Sequence, residues 1–184
     1  MEISSFNEII INQKSLIICD IDETILYFEG IDKQWWVDTF NTFYKIHNDY
    51  DKADKLSLDK WISYIIDNNP YTTDEIGYNN MLKRVNDTNS RLLFLTARHE
   101  HLRDITLKHM LHLNIHNPIL HFTNGNCKGQ YILDNLINSS QNFEINSNNI
   151  IFIDDLLQNI ANVSDKLAGH VTCYLFKLKQ ISDK

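Results

Sequence analysis

Asp20-Ile21-Asp22-Glu23-Thr24 places three acids and a hydroxyl within five residues, directly after the apolar run Leu16–Cys19. A second acidic pair, Asp154-Asp155, follows another such run, Ile150–Ile153. Carboxylates held within a few ångströms repel one another and stay ionised together only around a cation. Hard oxygen ligands with room for water suit Mg²⁺. Thr96 closes a third apolar run in Leu95-Thr96-Ala97-Arg98, and Lys128 stands in Asn124-Gly-Asn-Cys-Lys-Gly129, just ahead of a helix expected to begin near Gln130. A hydroxyl, an ammonium and a helix N-terminus all suit a phosphate. Arg98 is placed either to reach that phosphate or to make a structural salt bridge, and Asp155 either to join the metal site or to cap its helix. A metal, paired carboxylates, a hydroxyl and an ammonium describe a phosphoryl-transfer site if the elements that carry them converge.

Convergence depends on those elements. Leu16–Cys19, Leu92–Leu95, Ile150–Ile153 and Val171–Phe176 are too short for helices and lack alternation, which suits strands buried on both faces of a parallel sheet. Ile119–Phe122 is a weaker fifth candidate. Between them, apolar residues recur with helical period: Leu102, Ile105, Met110 and Leu113; then Ile132, Leu133, Leu136 and Ile137; then Leu156, Ile160, Val163 and Leu167, with Gly169 as the stop. Strand–helix alternation predicts a Rossmann-like, doubly wound α/β sheet of about five strands. In such sheets ligands bind beyond the carboxyl ends of the strands, where both acidic pairs lie.

Residues 30–80 break the alternation. They hold all three Trp residues and read as helices with stripes at Trp36, Phe40, Phe43 and His47, and at Leu58, Trp61, Ile62, Ile65 and Ile66. A third helix is expected to start at the capping-box pattern Thr72-x-x-Glu75 and to run to about Val85. The chain is therefore expected to be one domain over 1–184. Its core would span about 1–29 and 81–184, interrupted by a helical insertion over 30–80.

Composition narrows the partners. Of 184 residues, 17 are Lys or Arg and 24 Asp or Glu, a net charge of −7 that argues against non-specific nucleic-acid binding. Three cysteines, an odd number, argue against a disulfide framework and fit a reducing, cytoplasmic compartment. No signal-peptide core opens the sequence, and no run approaches the length of a membrane span. Eight histidines include His109, His112 and His116 at helical spacing, but no cysteine pair supports zinc, so they are read as structural. Cys127 is read as passive.

Asp20-Ile-Asp-Glu-Thr24, Thr96, Lys128 and Asp154-Asp155, in that order, resemble the four motifs of the haloacid dehalogenase superfamily, over about residues 15–163. The resemblance implies a phosphatase-like branch with a C1-type cap, because the insertion falls between the first and second motifs. It implies that Asp20 is the nucleophile that forms an aspartyl-phosphate and that Asp22 is the general acid and base. Thr24 would hold the Asp22 loop. Thr24, Thr96, Ala97, Arg98 and Lys128 would contact the phosphate. Asp20, the Asp22 carbonyl, Asp154 and Asp155 would bind Mg²⁺. Asp at position 22 points to phosphate-ester hydrolysis rather than dehalogenation or ion pumping. The expected partner is a small phosphorylated substrate, selected by a helical lid for which Trp35, Trp36 and Trp61 are candidate lining residues. A phosphotransferase, a polynucleotide end phosphatase and a catalytically silent phosphate-binding scaffold remain alternatives on the same fold. A receiver-type phospho-acceptor fits poorly, because its acidic pair comes first and its acceptor later. Sequence leaves the oligomeric state open.

Overall fold

The computed structural model describes residues 1–137 and 149–178. Along the chain run β1 (Glu2–Ile3), β2 (Leu16–Cys19), β3 (Leu26–Tyr27), α1 (Lys33–His47), α2 (Tyr50–Asp67), β4 (Tyr71–Thr72), α3 (Glu75–Asp87) and β5 (Arg91–Thr96). Then follow α4 (Arg103–His112), β6 (Leu120–Phe122), α5 (Lys128–Tyr131) with a π-helical turn over Ile132–Ile137, β7 (Ile150–Asp154), α6 (Leu157–Lys166) and β8 (Val171–Phe176). Six strands form one sheet in the order β1-β8-β7-β2-β5-β6, and every pairing is parallel.

The unalternating apolar runs become strands because both faces of this sheet are covered. Within β2, Ile17 and Cys19 join the larger core cluster, with Phe94, Ile151, Met110 and Tyr174. Leu16 and Ile18 face the opposite cluster, with Leu95, Phe152, Ile132 and Val163. Each fully buried Ile or Phe contributes about 1.5–3 kcal/mol of transfer free energy. A polar residue on either face would forfeit that, so period-two patterning is absent.

The expected five strands number six. β1 adds beside β8, with Glu2 opposite Leu175 and Ile3 opposite Phe176, so β8 is an inner strand. Helix α3 is capped by Asp74, whose Oδ1 accepts from the Gly77 N–H at 3.0 Å, and not by Thr72. Its other oxygen accepts from Ser5 Oγ at 2.6 Å and the Phe6 N–H at 3.0 Å, tying the chain's start to α3.

Helices α1 and α2 form an antiparallel pair capped by Asp32 and Asp49, and Asn48 makes the reversal with φ 49. The pair leaves the core through β3 and returns through β4. These two strands pair antiparallel, with Leu26 opposite Thr72 and Tyr27 opposite Tyr71. Trp61 and Ile65 of α2 pack into the larger core cluster. No helix of the described residues is long and apolar enough to cross a membrane.

Candidate active site at the carboxyl edge of the sheet

β2 lies between β5 and β7, with Cys19 opposite both Phe94 and Ile153. The residues just beyond these pairs, Asp20 and Asp154, therefore emerge side by side, and the Asp20 N–H donates to the Ile153 carbonyl at 2.9 Å. Carboxylate oxygens of Asp20, Asp154 and Asp155 lie within 4.8 Å of one another, and all three residues are buried. Lys128 Nζ, also buried, donates to Asp20 Oδ1 and, at 2.7 Å, to Asp154 Oδ2. Asp154 is fixed further by the Leu156 N–H at 2.9 Å and by Asn159 Nδ2 at 3.0 Å. Asp155 is not the cap of α6. It receives Lys33 Nζ from α1 at 2.9 Å.

Burial pushes the Asp20 carboxyl well above its ordinary pKa, and the neighbouring charges of Asp154 and Asp155 add to this against the pull of Lys128. Burial also raises Asp155, against Lys33. Burial would lower Lys128, but its two carboxylate partners outweigh that and hold it above its ordinary value. Three carboxylates thus share one buried ammonium and one half-exposed lysine. A further cation with a preference for hard oxygen fits this donor set.

Thr96 ends β5 buried, with Oγ1 accepting from the Arg98 N–H at 3.1 Å, which leaves its own proton free to donate. The Ala97 carbonyl accepts from the Gly125 N–H at 2.9 Å and joins the loop before Lys128 to the end of β5. Thr24 Oγ1 is buried without a hydrogen-bond partner among the described residues. The loop bearing Asp22 is held by the backbone instead: the Ile21 carbonyl accepts from Ile25 and Leu26, and the Thr24 carbonyl accepts from Thr73 Oγ1 at 2.5 Å.

Arg98 commits its guanidinium to Asp22, donating from Nε at 2.9 Å and from Nη2 at 2.7 Å. Its Nη1 reaches Thr106 Oγ1 at 3.0 Å and His109 Nδ1 at 3.3 Å, and Trp61 covers the guanidinium at 5.4 Å. The arginine side chain is 1% exposed and the aspartate 30%, so the pair is dry behind and open toward the cavity in front. Of the two roles open to Arg98, the geometry takes the ion pair.

The site opens into a cavity of ≈ 440 Å³ between the sheet edge and the α1–α2 pair. Trp36 and Trp61 line it. Trp35 instead meets Trp36 edge-on at 5.6 Å and carries Lys60 Nζ over its ring at 5.4 Å.

Residues 2–118 match a family described as "Protein of unknown function (DUF2608)". The chain belongs to the DUF2608 family. Among solved structures, this DUF2608 chain resembles the HAD domain of effector protein Lem4 from Legionella pneumophila, with 15% identity over 93% of this chain and 89% of that one and a TM-score of 0.51. It also resembles a HAD-superfamily hydrolase from Ehrlichia chaffeensis, with 15% identity over 89% and 87% and a TM-score of 0.52. A haloacid dehalogenase-like family hydrolase from Xanthomonas campestris gives 10% identity over 94% and 88% and a TM-score of 0.51. No curated protein matches by sequence. The fold is that of the haloacid dehalogenase superfamily, with helices on both faces of a parallel sheet.

Two supports of this DUF2608 site were not foreseen from the residues. The first is Gly129. An added Cβ there would lie 2.4 Å from Asn162 Oδ1 and 2.9 Å from the Asn162 carbonyl, so only glycine lets α5 close on α6 and deliver Lys128. Gly129→Ala is expected to destabilise the fold by about 1–3 kcal/mol, the usual cost of overpacking, read as a lower urea midpoint. An unchanged midpoint would show that α5 can back away from α6 freely.

The second is His109. It is buried, unlike His112 and His116 of the same predicted stripe. Its Nε2 lies 2.8 Å from the Ile65 carbonyl, which assigns the proton to Nε2 and leaves Nδ1 to accept from Arg98. Burial, then the Arg98 charge, lower its pKa to about 4. Between about 6.5 and 4 the unfolded chain binds the proton that the folded ring refuses, so this residue makes stability fall as pH falls through that window. His109→Gln is expected to flatten the pH dependence of the urea midpoint there. Profiles running parallel to wild type would show that His109 titrates alike in both states.

Proposed function

We propose that this chain is a Mg²⁺-dependent phosphatase that cleaves a small phosphate monoester through an aspartyl-phosphate on Asp20. The observation that carries this reading is the Lys128 ammonium bridging Asp20 and Asp154 at the floor of a cavity, with Asp155 within 4.8 Å. Mg²⁺ held by Asp20, Asp154, Asp155 and the Asp22 carbonyl would offset the charge of the carboxylates and of the phosphoryl oxygens.

Asp20 supplies the nucleophilic carboxylate oxygen. As its bond to phosphorus forms, the ester P–O bond breaks and the departing oxygen takes a proton from Asp22. Asp22, now a carboxylate, takes a proton from water. That water attacks phosphorus, releases phosphate and restores Asp20. Arg98 holds the Asp22 carboxyl in one orientation through two hydrogen bonds while its open side faces the reacting oxygen. Thr96 Oγ1 and Lys128 Nζ meet the non-bridging oxygens, where they stabilise charge that grows in the transition state. The α1–α2 pair acts as a cap, and with Trp36 and Trp61 in place it excludes bulk water from the site.

Phosphate release from a panel of monoesters tests this. Turnover is expected in Mg²⁺, is expected to fall to background in EDTA, and is expected to return on adding Mg²⁺ back. No release across the panel, with vanadate still bound in Mg²⁺, would make the protein a silent phosphate binder and end the enzymatic reading.

A further inference from the structure

The cavity wall carries a charge pattern that constrains what is attached to the phosphate, and this inference rests on the phosphatase reading above. Among the described residues, besides the imidazole of His99, the basic side chains lining the cavity are Lys33, Arg98 and Lys128. Each is already committed to a carboxylate: Lys33 to Asp155 at 2.9 Å, Arg98 to Asp22 at 2.7 Å, and Lys128 to Asp154 at 2.7 Å. Three further acids line the same space, Glu23, Asp32 and Asp54. Asp32 caps α1 through the Trp35 N–H at 2.8 Å and so stays in place as an acceptor. The rest of the wall that the helical pair and the β3 loop present is hydrocarbon and aromatic, with Phe28, Trp36, Leu58 and Trp61.

A single phosphate therefore finds compensation at the floor, from Lys128 and the cation that the carboxylates can hold. A second anionic group on the same molecule would meet Asp32 or Asp54, and among the described residues the lining lysines and arginine are already paired. It would also displace its own water against apolar surface, which costs free energy without a partner to offset it. Sugar bisphosphates, nucleoside di- and triphosphates and phosphorylated carboxylic acids are disfavoured on both counts. A hydrocarbon or aromatic body gains by contact with Trp36 and Trp61.

We infer that the substrates are phosphate monoesters with one phosphate only, on an uncharged and predominantly hydrocarbon alcohol or phenol. The basis is the committed state of Lys33, Arg98 and Lys128 beside Asp32, Asp54 and the tryptophan wall.

The test compares 2-naphthyl phosphate with its 6-carboxylate derivative, which differs by one remote negative charge. Two readouts are taken. One is kcat/KM in wild-type protein with Mg²⁺. The other is binding to the Asp20→Asn variant, followed by quenching of tryptophan fluorescence. Wild type is expected to favour the uncharged ester by about tenfold, as one like-charge contact in a partly wet site implies. Binding is expected to show the same preference. Asp54→Lys, a change at an exposed position on α2, is expected to narrow the ratio by about threefold or more. Equal or better turnover of the carboxylated ester would overturn the inference and leave the phosphatase reading standing. Absent turnover of both, with binding still selective for the uncharged ester, would overturn the phosphatase reading and uphold the selectivity of the cavity. Indiscriminate binding would overturn the selectivity.

Discussion

Asp20→Asn is expected to reduce phosphate release by about a thousandfold or more, the scale seen when the nucleophile of a covalent mechanism is removed. The amide keeps the size of the side chain and an oxygen for Lys128, but it offers phosphorus no carboxylate. The same change is expected to leave the thermal midpoint equal to wild type or above it. Burial already works against the ionised carboxyl of Asp20, and Asp154 and Asp155 add repulsion. Removing its charge relieves both. Opposite movement of activity and stability separates a chemical role from a structural one. Full turnover in the variant would end the assignment of Asp20 as nucleophile, and a collapsed midpoint would make it a fold determinant.

Lys128→Met is expected to be the most destabilising single change at the site. Methionine fills the space of the lysine stem, but the ammonium that serves both Asp20 and Asp154 is gone. Breaking a buried ion pair by deleting one partner costs about 3–5 kcal/mol, because a buried charge is left uncompensated. The deficit is expected to grow with pH. Asp20 has a folded pKa raised above its unfolded value, so it contributes most favourably when both states are protonated. That contribution is lost as pH rises through the folded value. Urea denaturation of wild type and variant across acid to neutral pH, in the absence of divalent cations, reads both effects. A deficit below about 1 kcal/mol at neutral pH, the range of an exposed pair, would mean that water reaches the carboxylates.

Much of the candidate site is legible in the sequence, for a physical reason. Strands buried on both faces must be continuous apolar runs, and polar residues can stand only where such runs stop. Asp20, Thr96 and Asp154 are therefore marked by the hydrocarbon that precedes them. The fold class followed from the same runs. β1 was not legible because two residues carry no periodicity, and Glu2–Ile3 becomes a strand only because β8 offers an open edge. Asp74 rather than Thr72 caps α3 because its second oxygen is claimed by Ser5 and Phe6, from far back in the chain. The partnership of Arg98 with Asp22, and of His109 with Arg98, spans distant positions that no local pattern links. Lys33 reaches Asp155 only once α1 has folded over the sheet edge.

The two-stranded ribbon of β3 and β4 has a consequence for how this molecule tolerates change. Tyr27 and Tyr71 stand opposite each other, so the chain that leaves the sheet for α1 and α2 comes back to the place it left. The closure entropy of such an excursion grows only with the logarithm of its length, about 0.6 kcal/mol for each doubling. Insertions or deletions near the α1–α2 turn at Asn48 therefore leave the registers of β2, β5 and β7 untouched. The turn that joins α1 to α2 can change length while Lys33, Trp61 and the carboxylates beneath them stay where they are.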